Sequence, residues 1–334
     1  MKLNDVTDTM TKDKWNSLIQ NYKLKTVYHM WEWLEFIQES QNLKKYIYEI
    51  ILDSEVVGYL PGFLIKKGPL RIFGSPFPGW TTPYMGPLLD DNVSQASFYK
   101  EFKKLMKQEK YHYAEITNIN LDGDAAKKEG LVVTERITYL AELAPTSEEI
   151  LARFRKSTKF AVRKILKEKT INVEITDDAS FLDYYYSQME HIFAKSNKNP
   201  TYSKERIRLL IEKMAPTGKL LLTWAKYEDK PIACMIDLID GQWMFSFGAS
   251  SDKDYLNLRP NGVIRFFVMN HALEQGVRYY DFMGADEYKS QFGSEQFTTY
   301  RIIYSRWEGL FKLRNFARKI LNYKNIISYR LKGK

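Results

Sequence analysis

The sequence predicts an α/β (α+β) protein built as two domains of one design, and three observations carry that expectation. First, residues 46–61, YIYEIILDSEVVGYLP, read as a strand, a polar turn at Asp53-Ser54-Glu55 and a second strand. Second, residues 220–236, LLLTWAKYEDKPIACMI, repeat the plan with the turn at Glu228-Asp229-Lys230. Third, each hairpin leads into a Gly/Ser loop, Phe73-Gly74-Ser75 or Phe247-Gly248-Ala249-Ser250, then a segment of helical period. A short aromatic strand closes each copy, YHYAEIT at 111–117 and RYYDFMG at 278–284. A length of 334 residues agrees with two domains.

Taken in order, residues 12–20 and 27–40 have helical spacing, with Trp33, Leu34 and Ile37 on one face. The first hairpin occupies 46–66. Residues 73–80 are the densest Gly/Pro stretch and read as a loop. TTPYMGPLL, from residue 81, is an edge strand, because Pro83 and Pro87 cannot donate to a central ladder. A helix over 94–109, capped by Ser94, and strands at 111–118 and 131–143 complete the first copy. Thr146 with Glu149 has capping-box spacing and opens a single basic helix over 147–169. The second copy reads strand 171–176, helices 179–195 and 203–214, strands 219–228, 231–239 and 242–249, helix 260–275, strand 278–284, a short helix 286–292 and strand 297–306. Pro260 fits a first helical turn and Gly276 a helix end. The segmentation is therefore 1–145, a basic linker helix 146–170, 171–306, and a basic tail 307–334.

The net charge of +9 is concentrated in two places. Residues 306–334 hold nine Lys/Arg against Glu308, and residues 151–170 hold eight against Glu168. Such segments solvate a surface helix, or they meet phosphate on nucleic acid, lipid headgroups or a nucleotide-linked substrate. In the tail, Trp307, Leu310, Leu313, Ala317 and Ile320 share a helical face, with Lys312, Arg314, Arg318 and Lys319 on the polar side. This is the composition of an interfacial helix on an anionic membrane surface, and equally of a helix docked on its own domain. The single cysteine, Cys234, excludes a disulfide framework and points to a reducing compartment. The first residues lack the apolar stretch of a signal peptide, and no run reaches the length of a membrane span. The expected location is cytoplasmic, or peripheral at the inner face of the membrane. Four scattered histidines offer no zinc spacing, and GxSxG, Walker A and GxGxxG are absent. The chemistry expected needs no metal and no covalent nucleophile.

What remains is an ordered series of short motifs: Phe247-Gly248-Ala249-Ser250, Arg259-Pro260-Asn261-Gly262, Gly276, Tyr280-Asp281-Phe282, then Tyr288-Lys289 before Phe292-Gly293. In this order they resemble the catalytic half of the Fem-type aminoacyltransferases and related acyltransferases of cellulose and capsule biosynthesis, a tandem GNAT superfamily. Tyr84-Met85-Gly86-Pro87 resembles that family's Gly-Pro strand, and RKSTKFAVRK at 155–164 its basic linker helix. The resemblance implies two GNAT-like domains, each a mixed, mostly antiparallel twisted sheet flanked by helices, the first on the acceptor side and the second catalytic. It implies transfer of an acyl or aminoacyl group from an activated donor to an amine or hydroxyl of a cell-wall or polysaccharide precursor. The co-substrate is acyl-CoA or aminoacyl-tRNA, with no permanently bound cofactor. Lys289 is the implied stabiliser of charge on the donor carbonyl or leaving group, and Tyr288 either donates to the same oxygen or packs as a half-buried core tyrosine. Asp281 accepts a proton or caps the following turn. Phe247, Gly248, Lys253, Arg259, Asn261 and Gly262 form the donor-binding set, the last four as a phosphate cradle at a helix start. Trp80 and Tyr84 line the acceptor cleft. Lys156, Lys159, Arg163 and Lys164 meet the phosphates of a tRNA donor. The competing reading is a non-catalytic binding or accessory protein on a degenerate scaffold of this type.

Overall fold

In a computed structural model of the chain, residues 1–195, 200–307 and 309 are described. The two hairpins close alike. Asp53 and Ser54 lie at φ 50° and 72°, and Glu228 and Asp229 at 48° and 59°. Two successive left-handed residues match the twist of the flanking strands. Strands β2 and β3, and later β9 and β10, are therefore joined by two residues each.

The chain divides into two compact units, residues 1–136 with those from Thr298 onward, and residues 137–297. Unit 1 runs β1 (Lys2–Asp5), α1 (Lys12–Leu18), α2 (Trp31–Gln41), β2 (Lys44–Leu52), β3 (Glu55–Lys67), β4 (Leu70–Ser75), β5 (Leu88–Leu89), α3 (Gln95–Gln108), β6 (Tyr113–Thr117) and α4 (Gly123–Lys128). β1 to β4 pair antiparallel in sequence order, and β4 pairs β6 in parallel. Ser94 caps α3, whose Phe98, Phe102, Leu105 and Met106 are buried against Leu60, Phe73 and Ala114 of the sheet.

β7 (Val132–Glu142) carries the chain into unit 2. There follow α5 (Ser147–Arg153), α6 (Lys156–Glu168), β8 (Asn172–Ile175), α7 (Phe181–Lys195), α8 (Lys204–Met214), β9 (Leu220–Tyr227), β10 (Lys230–Asp240), β11 (Trp243–Ser251), α9 (Pro260–Glu274), β12 (Tyr279–Asp281) and β13 (Glu295–Ser305). Within unit 2 the pairing order is β8-β9-β10-β11-β12-β7, antiparallel except for β11 with β12. β13 then leaves unit 2, and its Arg301–Ser305 pairs antiparallel with Thr117–Tyr113 of β6 in unit 1. The units are thus not consecutive blocks meeting near 145. The chain changes unit within β7 and again within β13, because each of these long strands lends its two ends to different ladders.

The segment 147–169 is two helices and not one. Phe154 and Arg155 are extended, at ψ 145° and 140°. No proline forces the break. Phe154 instead turns inward onto Phe266 and Phe292, at 6.1 and 5.5 Å between ring centres, and the Arg155 N–H donates to the Gln291 carbonyl. Nor is the segment a free linker, since Val162 and Ile165 belong to the core of unit 2. Strands β1 and β4 and helix α4 are additions to the sequence reading. The tail expected over 307–334 lies outside the described residues apart from Trp307 and Gly309. No helix among the described residues is long and apolar enough to cross a membrane.

Candidate functional site

The site is built where two parallel strands part. β11 and β12 pair only from Trp243 to Phe245 against Tyr279 to Asp281. β11 then continues to Ser251 while β12 ends. A bulge accompanies the parting: Ile236 pairs with Gly248 and Asp237 with Ser246, leaving Phe247 as the extra residue. Helix α9 begins beside the opening. Pro260 occupies its first turn, and Arg259 before it takes the left-handed conformation, φ 52°.

Beneath α9 lies a buried polar chain. The Arg265 guanidinium donates through Nη1 to Ser246 Oγ at 3.0 Å and to the Tyr280 hydroxyl at 2.7 Å. The Tyr280 hydroxyl in turn donates a hydrogen bond to Asp237 Oδ1 at 2.7 Å. Asp237 and Tyr280 are fully buried and Arg265 is 4% exposed. Burial lifts the Asp237 carboxyl to about 7, against the opposing pull of the Arg265 charge.

Lys289 lies in the short 3-10 helix Glu287–Phe292, which follows the loop after β12. It is 5% exposed, and its Nζ donates to the Met283 carbonyl at 2.7 Å and to Asp286 Oδ2 at 3.3 Å. Desolvation lowers its pKa, and Asp286 opposes that shift. Gly284, at φ 103°, leaves room for the ammonium: a Cβ there would stand 3.1 Å from Nζ. Asp281 is fully buried; its Oδ1 accepts from the Met283 N–H at 2.7 Å and from Thr138 Oγ1. That first bond is the turn cap which was one of the two readings of this residue. Tyr288 is 57% exposed, its ring centre 5.8 Å from Lys289 Nζ.

Of the remaining expected residues, Lys253, Asn261 and Tyr288 line one cavity of 240 Å³ with Arg265, Ser250 and Ser251. Arg259, Asn261 and Gly262 line a neighbouring one of 280 Å³. The cradle is only partly open: the Gly262 N–H already donates to the Arg259 carbonyl, and a Cβ at 262 would meet Val162 at 3.2 Å. Gly262 thus serves the contact of α9 with α6. Gly248 is needed for space, since a Cβ would come within 2.2 Å of the Tyr185 hydroxyl, which bonds Tyr202 at 2.9 Å. Phe247 is buried against Tyr202. Lys156, Lys159, Arg163 and Lys164 line an open groove of 1170 Å³ on α6, together with Arg155, Arg259 and Phe160. Trp80 and Tyr84 lie inside unit 1, at 4% and 0% exposure. Trp80 packs on Phe63 and Phe77, and the Arg136 guanidinium lies 5.1 Å above the Tyr84 ring. Neither side chain lines an open surface, because both are buried inside unit 1. Asp237, Ser246 and Arg265 were missed. The signal was present: an acid inside the apolar run CMIDLI of a central strand needs a reason to be there.

A mixed sheet that opens between two parallel strands beside a helix start is the frame of the GNAT acyltransferases. Residues 152–290 match the family described as acetyltransferase (GNAT) domain. FemX shares the fold at a TM-score of 0.74, with 13% identity over 94% of this chain and 99% of that one. A tandem GNAT protein from the clavulanic acid biosynthesis pathway matches at 0.53, with 10% identity over 91% and 98%. The C-terminal domain of a putative lysylphosphatidylglycerol synthetase from Agrobacterium fabrum matches at 0.53, with 10% identity over 81% and 92%. No curated protein sequence matches the chain. The family match lies within unit 2, and the likeness to the solved structures shows the fold along the chain.

Proposed function

We propose that the protein transfers an acyl or aminoacyl group from an activated donor to an amine or hydroxyl of a cell-envelope or polysaccharide precursor. The observation that carries this reading is Lys289, a lysine held almost out of water in the turn Glu287–Phe292, whose ammonium reaches back to the Met283 carbonyl just past β12. Attack by the acceptor amine or hydroxyl on the donor carbonyl forms the new C–N or C–O bond and builds negative charge on the carbonyl oxygen; collapse breaks the bond to the thiolate or ribose oxygen, which takes up the proton that the acceptor loses. An ammonium in a poorly solvated place stabilises such charge far better than one in water. In this role Lys289 exchanges its bonds to Met283 and Asp286 for the developing oxyanion, with Tyr288 at the open edge. Arg259, Lys253 and Asn261 hold the donor.

Two donors fit, acyl-CoA and aminoacyl-tRNA. The groove on α6 favours aminoacyl-tRNA. Lys156, Lys159, Arg163 and Lys164 line it beside Phe160, which is 72% exposed, and cations around an exposed ring suit phosphates with a stacked base. The lysylphosphatidylglycerol synthetase neighbour extends the acceptor class to lipid headgroups, and the protein then works in the cytoplasm at the membrane's inner face. The test is donor consumption. Purified protein is given labelled aminoacyl-tRNA and a panel of acyl-CoA thioesters, each with and without cell-wall, polysaccharide and lipid acceptors. Acceptor-dependent loss of one donor class is expected. A protein that consumes none of these donors with any acceptor, while binding the acceptors, is an accessory protein.

A further inference from the structure

The 240 Å³ cavity beside α9 has an unusual wall. It is lined from β11 by Ser250 and Ser251, from α9 by Asn261 and Arg265, from the following turn by Tyr288, and from the loop by Lys253. Gln188 and His191 of α7 and Gln291 complete its polar lining, and no Asp or Glu among the described residues lines it. Arg265 is at once almost wholly buried and part of this wall. Its hydrogen bonds both leave from Nη1 and both go to hydroxyls. Asp237 attracts Arg265 through space and shares Tyr280 with it, and no carboxylate among the described residues pairs with it within 4 Å. Two hydroxyls fix the orientation of the guanidinium, and the rings of Tyr280, Phe282 and Phe292 stand 5.9, 4.9 and 5.6 Å from it. Its planar edge suits a carboxylate or a phosphate.

We propose that this cavity is an anion-binding subsite, anchored by Arg265, which takes the carboxylate or phosphate end of a small substrate group. The volume corresponds to about eight waters at roughly 30 Å³ each. That is room for a chain of a few carbons bearing one such group. Ala249, Ile192, Leu256 and Phe292 supply an apolar wall for the stem. Only the identity of the molecule that carries the anion rests on the transferase reading; the binding itself does not.

The experiment is direct binding to the full chain by calorimetry and thermal shift, at constant ionic strength, with succinate, inorganic phosphate and uncharged succinamide. Saturable binding of succinate or phosphate, and none of succinamide, is expected. Preference for succinate places a carboxylate on the transferred or accepting group; preference for phosphate places the anion on a phosphorylated portion of donor or acceptor. Arg265→Met should weaken binding at least about 10-fold. Because Arg265 is buried, a second variant guards against misfolding. Ala249→Phe fills the cavity from an exposed backbone position and leaves the Arg265 bonds untouched; it should abolish binding with unchanged circular dichroism. No anion binding by the wild type, or anion binding that survives both variants, overturns the subsite. Either result leaves donor consumption, measured separately, as the judge of the transferase reading.

Discussion

The single residue on which most rests is Lys289. If its ammonium meets charge that exists only during transfer, Lys289→Met should lower turnover by roughly 100-fold or more, with donor affinity and melting temperature near wild type. A variant with full turnover would return Lys289 to a purely structural role, holding the Met283 carbonyl. Asp237 yields a prediction about pH. Its folded carboxyl titrates at about 7, pushed up by burial, while an unfolded aspartate titrates near 4. Between these values the folded state keeps a proton that the unfolded chain has lost. The stability this group contributes is whole below about pH 4 and is lost as pH rises to about 7. Asp237→Asn removes that dependence, so its urea midpoint should fall less than the wild type's between pH 5 and pH 7; parallel slopes would mean that Asp237 is ionised in the fold. Lys289 and Asp281 were singled out in the sequence because they sit in one short run of motifs. The Arg265 chain was not, because Asp237, Ser246, Arg265 and Tyr280 come from β10, β11, α9 and β12 and meet only once the sheet is formed.

At the scale of elements, period and turn chemistry did well where local preference and tertiary packing agree. Both hairpins and α3 are such cases. They failed where a tertiary contact overrides propensity, as at Phe154, whose burial on Phe266 and Phe292 splits a run that is helical by every local measure. They also failed where an element is short: α4 has six residues, capped by Asp122. β4 was hidden by the Gly/Pro loop that follows it. The α6 helix gives this scale its test. Its buried face is Thr158, Val162 and Ile165, and Lys156, Arg163, Lys164 and Lys167 are exposed away from it. Replacing Lys156, Lys159, Arg163 and Lys164 by glutamine should leave the fold intact and weaken tRNA binding, with a shallower dependence on salt, while acyl-CoA binding stays unchanged. Unaltered tRNA affinity and salt slope in a filter-binding titration would remove α6 from the donor path.

For the whole molecule, the exchange of β7 and β13 between ladders matters more than any boundary drawn along the sequence. Unit 1 looks complete by residue 136, yet part of its core arrives 160 residues later. Ile302 and Tyr304 of β13 are buried among Ala114, Ile116 and Tyr111. Arg301 Nε lies 3.4 Å from Glu115 Oε2, and Glu115 is wholly buried. Removing β13 exposes an edge of β6, strips two large apolar side chains from the core and takes the arginine from a buried carboxylate. Breaking such a buried pair alone costs about 3–5 kcal/mol, a large share of the 5–15 kcal/mol by which a domain is ordinarily stable. A fragment of residues 1–136 should therefore lack a cooperative thermal transition and near-ultraviolet dichroism. Addition of a peptide covering 295–307 should restore both, by pairing along β6. A fragment that melts cooperatively near the intact protein's temperature without the peptide would show that β13 only decorates unit 1 and that the sequence-contiguous division was sufficient.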